Sequence, residues 1–239
     1  MDARLTRDAG RAYPLSIIVP CLNEAEEIGE ALDALAPLRQ RGAELIVVDG
    51  GSTDATLALA RAKADLVLEA PRGRAAQMNC GAEHARGDVL LFLHADTRLP
   101  AAADVLIREG LGHKARVWGR FDVHIRGRHP LLPVVAAMMN LRSRWTGIAT
   151  GDQAVFVTRG AFKRAGEFPS IALMEDIALS TALMREGAPA CLRQQASTSG
   201  RRWEKHGVFR TMLLMWRLRL AYQLGANPDK LALEYAAHK

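Results

Sequence analysis

The sequence predicts an α/β protein built on a doubly wound, mostly parallel sheet. Two observations lead there. Short apolar runs alternate with amphipathic segments four times before about residue 115, as repeated βα units require. Each of those runs is also followed by polar or ionisable residues, which collects them at one end of the sheet.

The first unit is "LSIIVP" followed by "EAEEIGEALDAL". Ile28, Leu32 and Leu35 fall at i, i+4 and i+7 and make one buried stripe, and Asn23 with Glu26 three residues on predicts a capped start. "ELIVVD" and "ATLALARAKA" form the second unit, "LVLEA" and "RAAQMNCGAEHA" the third. The fourth opens with "DVLLFLHAD", in which Val89 to Leu93 are apolar and His94, Ala95 and Asp96 end the run. Beyond about residue 115 the pattern predicts a strand at Trp118 to Arg126, a helix from Leu131 to Arg144, a strand from Gln153 to Thr158 and a helix starting near Glu175. In the tail, Phe209, Met212, Leu213, Trp216, Leu220 and Leu224 recur at helical spacing beside arginines 210, 217 and 219. That stripe reads either as core packing or as a face laid on an anionic lipid surface.

Composition narrows the classes. With 239 residues and 49% hydrophobic content the chain can bury a full core. The start is charged, without a signal-peptide apolar region, and "LLPVVAAMM" (Leu131 to Met139) is about half of the ~20 residues a bilayer span needs. A cytoplasmic protein is expected. Cys21, Cys80 and Cys191 are odd in number and far apart, the pattern of reduced thiols. The net charge of +6 favours acidic partners. Aromatics at 5%, not interleaved with a basic run, argue against nucleic acid.

In open parallel sheets ligands bind beyond the carboxyl ends of the strands. There the chain presents Pro20 through Asn23 and Glu24, then "DGGSTD" with Asp49, Gly51 and Ser52, then "EAPRGR" with Arg74, then His94, Ala95 and Asp96. Asn23 and Ser52 taken singly could be caps and the glycines turns. As a set, carboxylates suit ribose or base donors, arginines suit phosphates, and a further carboxylate suits a divalent cation. This describes a nucleotide-diphosphate site. No G-x-G-x-x-G or G-x-x-x-x-G-K-[ST] follows the first strand. The carboxylates of "PCLNEAEE" would repel a phosphate there, so the nucleoside end belongs over the first two strands.

"SIIVPCLNE", "LIVVDGGSTD", "RGRAAQMNCGA", "LLFLHADT" and "MEDIAL" occur in an order and spacing that resembles the family 2 glycosyltransferases. The tail from "SGRRWEKHG" onward is similar to a bacterial subgroup often labelled arsenosugar-biosynthesis glycosyltransferases. The resemblance implies a GT-A fold in one domain over 1-239. Its nucleotide-sugar half would be about 15-115, its mixed acceptor half about 116-206, and its C-terminal helical extension about 207-239. It implies that Glu24 and Asp49 contact base and ribose, with Pro20, Asn23, Gly51, Ser52, Asn79 and Ala95 in the same donor site. Asp96 stands at the metal-binding aspartate of the D-x-D motif and His94 replaces its first aspartate, so His94 either contacts the nucleotide or only ends the strand. Arg74, Arg201 and Arg202 become candidates for the phosphates. Arg202 and Trp203 are similar to the Q-x-x-R-W motif of processive synthases, but position 199 is Ser, which implies transfer of one sugar. His206 is either a further metal ligand or a surface histidine. Asp176 becomes the base, beside Glu175, and Gly151 and Asp152 shape the donor-sugar and acceptor pocket.

The activity implied is inverting, metal-dependent (Mn²⁺ or Mg²⁺) transfer from a nucleotide-diphosphate sugar to a hydroxyl of a small or lipid-linked acceptor. Two rivals are a nucleotidyltransferase and a membrane-associated nucleotide-binding scaffold.

Overall fold

The computed structural model describes residues 15–237; the charged start, residues 1–14, lies outside the described residues. In chain order the elements are β1 (Leu15–Cys21), α1 (Ala25–Ala34), α2 (Ala36–Gln40), β2 (Glu44–Asp49), α3 (Thr56–Arg61), β3 (Leu66–Glu69), α4 (Arg74–His84), β4 (Val89–Phe92) and α5 (Ala103–Gly112). The second half adds β5 (Trp118–Arg126), α6 (Leu132–Thr146), β6 (Phe156–Thr158), α7 (Arg159–Arg164), α8 (Glu175–Leu183), β7 (Ala190–Ser199), α9 (Arg201–His206), α10 (Val208–Gln223) and α11 (Pro228–Ala236).

One seven-stranded sheet runs β3-β2-β1-β4-β6-β5-β7. The first four strands are parallel, β6 is antiparallel to both β4 and β5, and β7 is parallel to β5. The sheet is therefore mixed in the second half, as expected. Strands β1, β2 and β4 are buried on both faces, and alternate residues divide between them. Ile17, Val19, Leu45, Val47, Leu91 and Leu93 pack with Ile28, Leu32 and Leu35 of the first helical segment and with Ile107 of α5. Ile18, Ile46, Val48, Leu90 and Phe92 face the other way, onto Ala75 and Met78 of α4 and Leu179 and Leu183 of α8. Each such Leu, Ile or Val removed from water contributes about 1.5–3 kcal/mol.

Several local expectations are corrected. Asn23 does not cap α1: it adopts φ 53 and its side chain accepts from the Thr53 amide at 2.9 Å instead. The first helix ends where expected, and a short α2 follows it directly, because Pro37 in its first turn cannot continue the preceding hydrogen-bond ladder. Gln153 is not in a strand. Thr150 and Gln153 cap a tight turn reciprocally, Ala154 follows at φ 47, and the strand begins only at Phe156. The tail stripe is not core: Phe209, Leu213, Trp216, Leu220 and Leu224 are exposed, while Leu218 on the opposite side of α10 is buried. Among the described residues no helix is long and apolar enough to cross a membrane.

Candidate functional site at the carboxyl edge of the sheet

Strands β1 and β2 place two loops side by side and hydrogen bonds fasten them. The Asn23 amide donates to Ser52 Oγ at 2.9 Å, the Glu24 amide to Thr56 Oγ1 at 2.8 Å and the Ala25 amide to Asp54 at 3.2 Å. Asp49, 2% exposed, accepts from the amides of Gly51 (2.9 Å) and Ser52 (2.8 Å) and from the Ser52 hydroxyl. Burial works against its charge, but the Ser52 and Gly51 donors outweigh it and hold the carboxyl below the usual aspartate range. The Gly51 turn needs φ 91, which glycine adopts without strain. Pro20 sits within the buried strand β1 at little cost. Ile18 accepts from the Leu93 amide, so Pro20, two residues on, turns its missing N–H to the same side, where pairing with β4 has already ended. Burial and the neighbouring Asp49 push the Cys21 thiol up to about 12, which keeps it unreactive.

Past β4 the chain turns at Ala95 and Asp96. The turn is fixed from a distance: Thr97 and Thr198 hydroxyls donate to Asp96 Oδ1 at 3.2 and 3.4 Å. Arg126 Nη2 donates to the Asp96 carbonyl at 2.9 Å, and Arg98 to that of Ala95 at 3.1 Å. His94 lies 3.7 Å from Asp152. Burial disfavours the imidazolium, but Asp152 and then Asp96 overcome this and raise its pKa above the ordinary value. Gly151 passes so close to His94 that a Cβ there would lie 2.4 Å from the ring. The Gly151 amide donates to Asp176 Oδ2 at 2.9 Å, and the Ile177 amide donates to Oδ1 at 2.7 Å. His94, Gly151, Glu175 and Asp176 thus line one cleft with Met78 and Phe92.

Glu175 is turned inward onto Arg74, at 2.7 Å. Burial pushes its carboxyl above the usual range against the pull of Arg74, and the Asp176 charge adds to the push. Arg202 stacks over the Tyr235 ring at 4.3 Å and its charge acts on Asp152 and Asp96. Arg201 pairs instead with Glu27 at 3.2 Å. Trp203 packs beside Val123, Ile125 and Leu132. Asn79 donates to the Phe168 carbonyl at 2.8 Å and accepts from its amide at 3.1 Å, so both ends of its amide fasten a neighbouring loop. His206 lines a separate cleft with Arg202, Arg210 and Tyr235. Among the described residues no three His, Cys, Asp or Glu side chains form a ready metal cluster.

Sequence reasoning missed three supports of this site. Gln77 donates from Nε2 to the carbonyls of both Cys21 and Val48 at 2.8 Å, pinning α4 beneath the loops that follow β1 and β2. Thr198 and Arg126 hold Asp96 from strands far along the chain. The signal for Gln77 was its place inside "RGRAAQMN"; the other two had none.

The sheet order and this edge make the molecule a GT-A fold. The mannosyltransferase PcManGT of Pyrobaculum calidifontis, solved with GDP-Man and Mn²⁺, superposes with a TM-score of 0.64 at 24% identity, over 90% of this chain and 63% of that one. TarS 1-349 of S. aureus, in complex with UDP-GlcNAc, superposes with a TM-score of 0.63 at 20% identity, over 78% and 58%. The PGL/p-HBAD biosynthesis glycosyltransferase of Mycobacterium bovis is 33% identical over 173 residues, which is 64% of this chain and 62% of the relative's own length. Residues 16–124 match the family described as Glycosyl transferase family 2.

Proposed function

We propose that the chain is a glycosyltransferase that moves one sugar from a nucleotide-diphosphate sugar to an acceptor hydroxyl with inversion, without processive elongation. One observation carries this reading: Asp96, His94, Asp152, Asp176 and Arg74 gather at the carboxyl edge of the sheet, beyond a pair of loops whose Asp49 and Glu24 suit a nucleoside. The mannosyltransferase and TarS structures named above hold GDP-Man and UDP-GlcNAc, which supports a nucleotide-sugar donor.

In this reading Glu24 and Asp49 receive base and ribose. Arg74 and Arg202 lie on the phosphate side, where guanidinium charge opposes the charge growing on the leaving diphosphate. Glu175 positions Arg74. The carboxylate oxygens of Asp96 would receive a hard divalent cation, Mn²⁺ or Mg²⁺. When bound, that ion would neutralise the departing diphosphate. The neighbour's Mn²⁺ supports the assignment. Asp176 takes the acceptor proton: its two backbone donors fix the carboxylate at the cleft, and each oxygen keeps a second lone pair for the hydroxyl. The acceptor is a small or lipid-linked alcohol, and the enzyme works in the cytoplasm in peripheral contact with the inner face of the membrane. The single domain of residues 1-239 is part of the same proposal.

Thermal-shift measurements against a panel of nucleotide sugars with Mn²⁺ test the donor assignment. At least one member raises the melting temperature; a flat response across the panel contradicts it and favours the scaffold alternative.

A further inference from the structure

Helices α6 and α10 share a buried cluster on their inner sides, where Leu132, Val135 and Ala136 meet Val208. Their outer sides are apolar and exposed. On α10, Phe209, Leu213, Trp216, Leu220 and Leu224, the last just past the helix end, are 54 to 78% exposed. At 3.6 residues per turn they fall within about 80° of one another. On α6, Val134, Met138, Leu141 and Trp145 repeat the arrangement, and Trp145 is 81% exposed.

Arginines border both stripes. Arg210 and Arg217 follow one edge of the α10 stripe and Arg219 the other; Arg142 and Arg144 flank the α6 stripe in the same way. Neither helix contains an Asp or Glu. Arg144 and Arg217 reach acids on other elements, Asp122 and Glu234. The guanidinium Nη1 and Nη2 of Arg142 are buried without a hydrogen-bond partner. An apolar strip edged by cationic side chains matches the interface of an anionic bilayer: apolar groups enter the acyl boundary, and the exposed Arg210 and Arg217 extend to the headgroups, whereas Arg142 and Arg144 are turned inward. A second copy is the less favourable occupant, because a two-fold contact over the α10 stripe would bring the exposed Arg210 and Arg217 of two copies together.

We infer that the outer faces of α6 and α10 form a membrane-docking surface for anionic phospholipid, with Trp145 and Trp216 as its aromatic anchors. This deepens the peripheral location proposed above and does not depend on the donor chemistry. Docked in this way, α9 carries the chain from the lipid surface to Arg202 beside the site, so a lipid-linked acceptor would arrive without leaving the bilayer.

The test is flotation of the full chain with vesicles of phosphatidylcholine alone or with 30% phosphatidylglycerol (an on-the-order-of choice for an anionic surface). Wild type floats with the anionic vesicles, and binding falls by more than ten-fold without the anionic lipid. The variants Trp145→Ser and Leu213→Ser/Trp216→Ser, both at exposed positions, lose binding while keeping the wild-type melting temperature. Wild type that fails to float, or variants that float equally, overturns the inference. So does a dimer in light scattering that the same substitutions dissociate while no vesicle binding is seen. Nucleotide-sugar binding, measured without lipid, is unchanged in these variants, so failure here is distinguishable from failure of the donor assignment.

Discussion

Asp96 and Asp176 are held in different ways. Asp96 sits in a turn braced by hydroxyls from Thr97 and Thr198, whereas Asp176 is fixed by main-chain amides at the start of α8. Asp176→Asn keeps the shape of the side chain, and donor binding measured by calorimetry should stay within about two-fold while transfer falls by 10²-fold or more, the scale of a lost general base. Transfer at the wild-type rate would remove Asp176 from that role. At Gly151, any side chain meets the His94 ring. Gly151→Ala should weaken donor affinity and transfer together through displacement of His94, read as a raised KM beside a lowered kcat; unchanged kinetics would show that His94 has room to move. At Asp49 the sign of the pH effect follows from its depressed pKa. The stabilisation is present above the ordinary aspartate value of 3.8 and is lost as pH falls through the lower folded value. Asp49→Asn should therefore cost about 1–3 kcal/mol near neutrality in denaturant unfolding, with the gap to wild type narrowing below pH 3.8. A gap that is constant with pH would mean the charge is not what the loop uses.

Among elements, those with a strong local period were legible in the sequence. β1, β2 and β4 are apolar runs, and α1 and α4 follow them with amphipathic spacing. β7 was not legible because Arg193, Gln194 and Gln195 lie exposed in its middle, so neither alternation nor an apolar run marks it. The site inherits the same division. Asp49, Asp96 and Asp176 stand at recognisable strand and helix ends, while Thr198 reaches Asp96 across 102 residues and only folding brings them together. Side-chain direction on α10 was equally hidden: its spacing marked a stripe, but not which side of the helix the protein would cover. Packing between elements gives a further test. A Cβ on Gly81 of α4 would lie 2.5 Å from Ile18 Cγ2, so Gly81→Leu should destabilise by about 1–3 kcal/mol through overpacking, seen as a lowered urea midpoint. A neutral result would mean that α4 can lift off the sheet. Between β5 and α6, Asp122 binds both the fully buried Arg120 and Arg144.

For the whole molecule, the parallel half β3-β2-β1-β4 and the mixed half β6-β5-β7 meet between β4 and β6, and the cleft opens at that seam. His94 and Asp96 come from the first half, Gly151, Asp152 and Asp176 from the second. A site assembled across the seam explains why neither half of the sequence contains the full constellation. It also frames the central proposal: a nucleoside bound over β1 and β2 would extend its diphosphate to the seam, where Asp96 would hold a cation. The most direct measurement is calorimetry of the donor that responds in the nucleotide-sugar panel, titrated into wild type and Asp96→Ala with Mn²⁺ and with chelator. The account predicts binding by wild type that weakens at least ten-fold when the metal is removed, and an Asp96→Ala protein whose weak binding no longer responds to Mn²⁺. Equal affinity in all four titrations would contradict it.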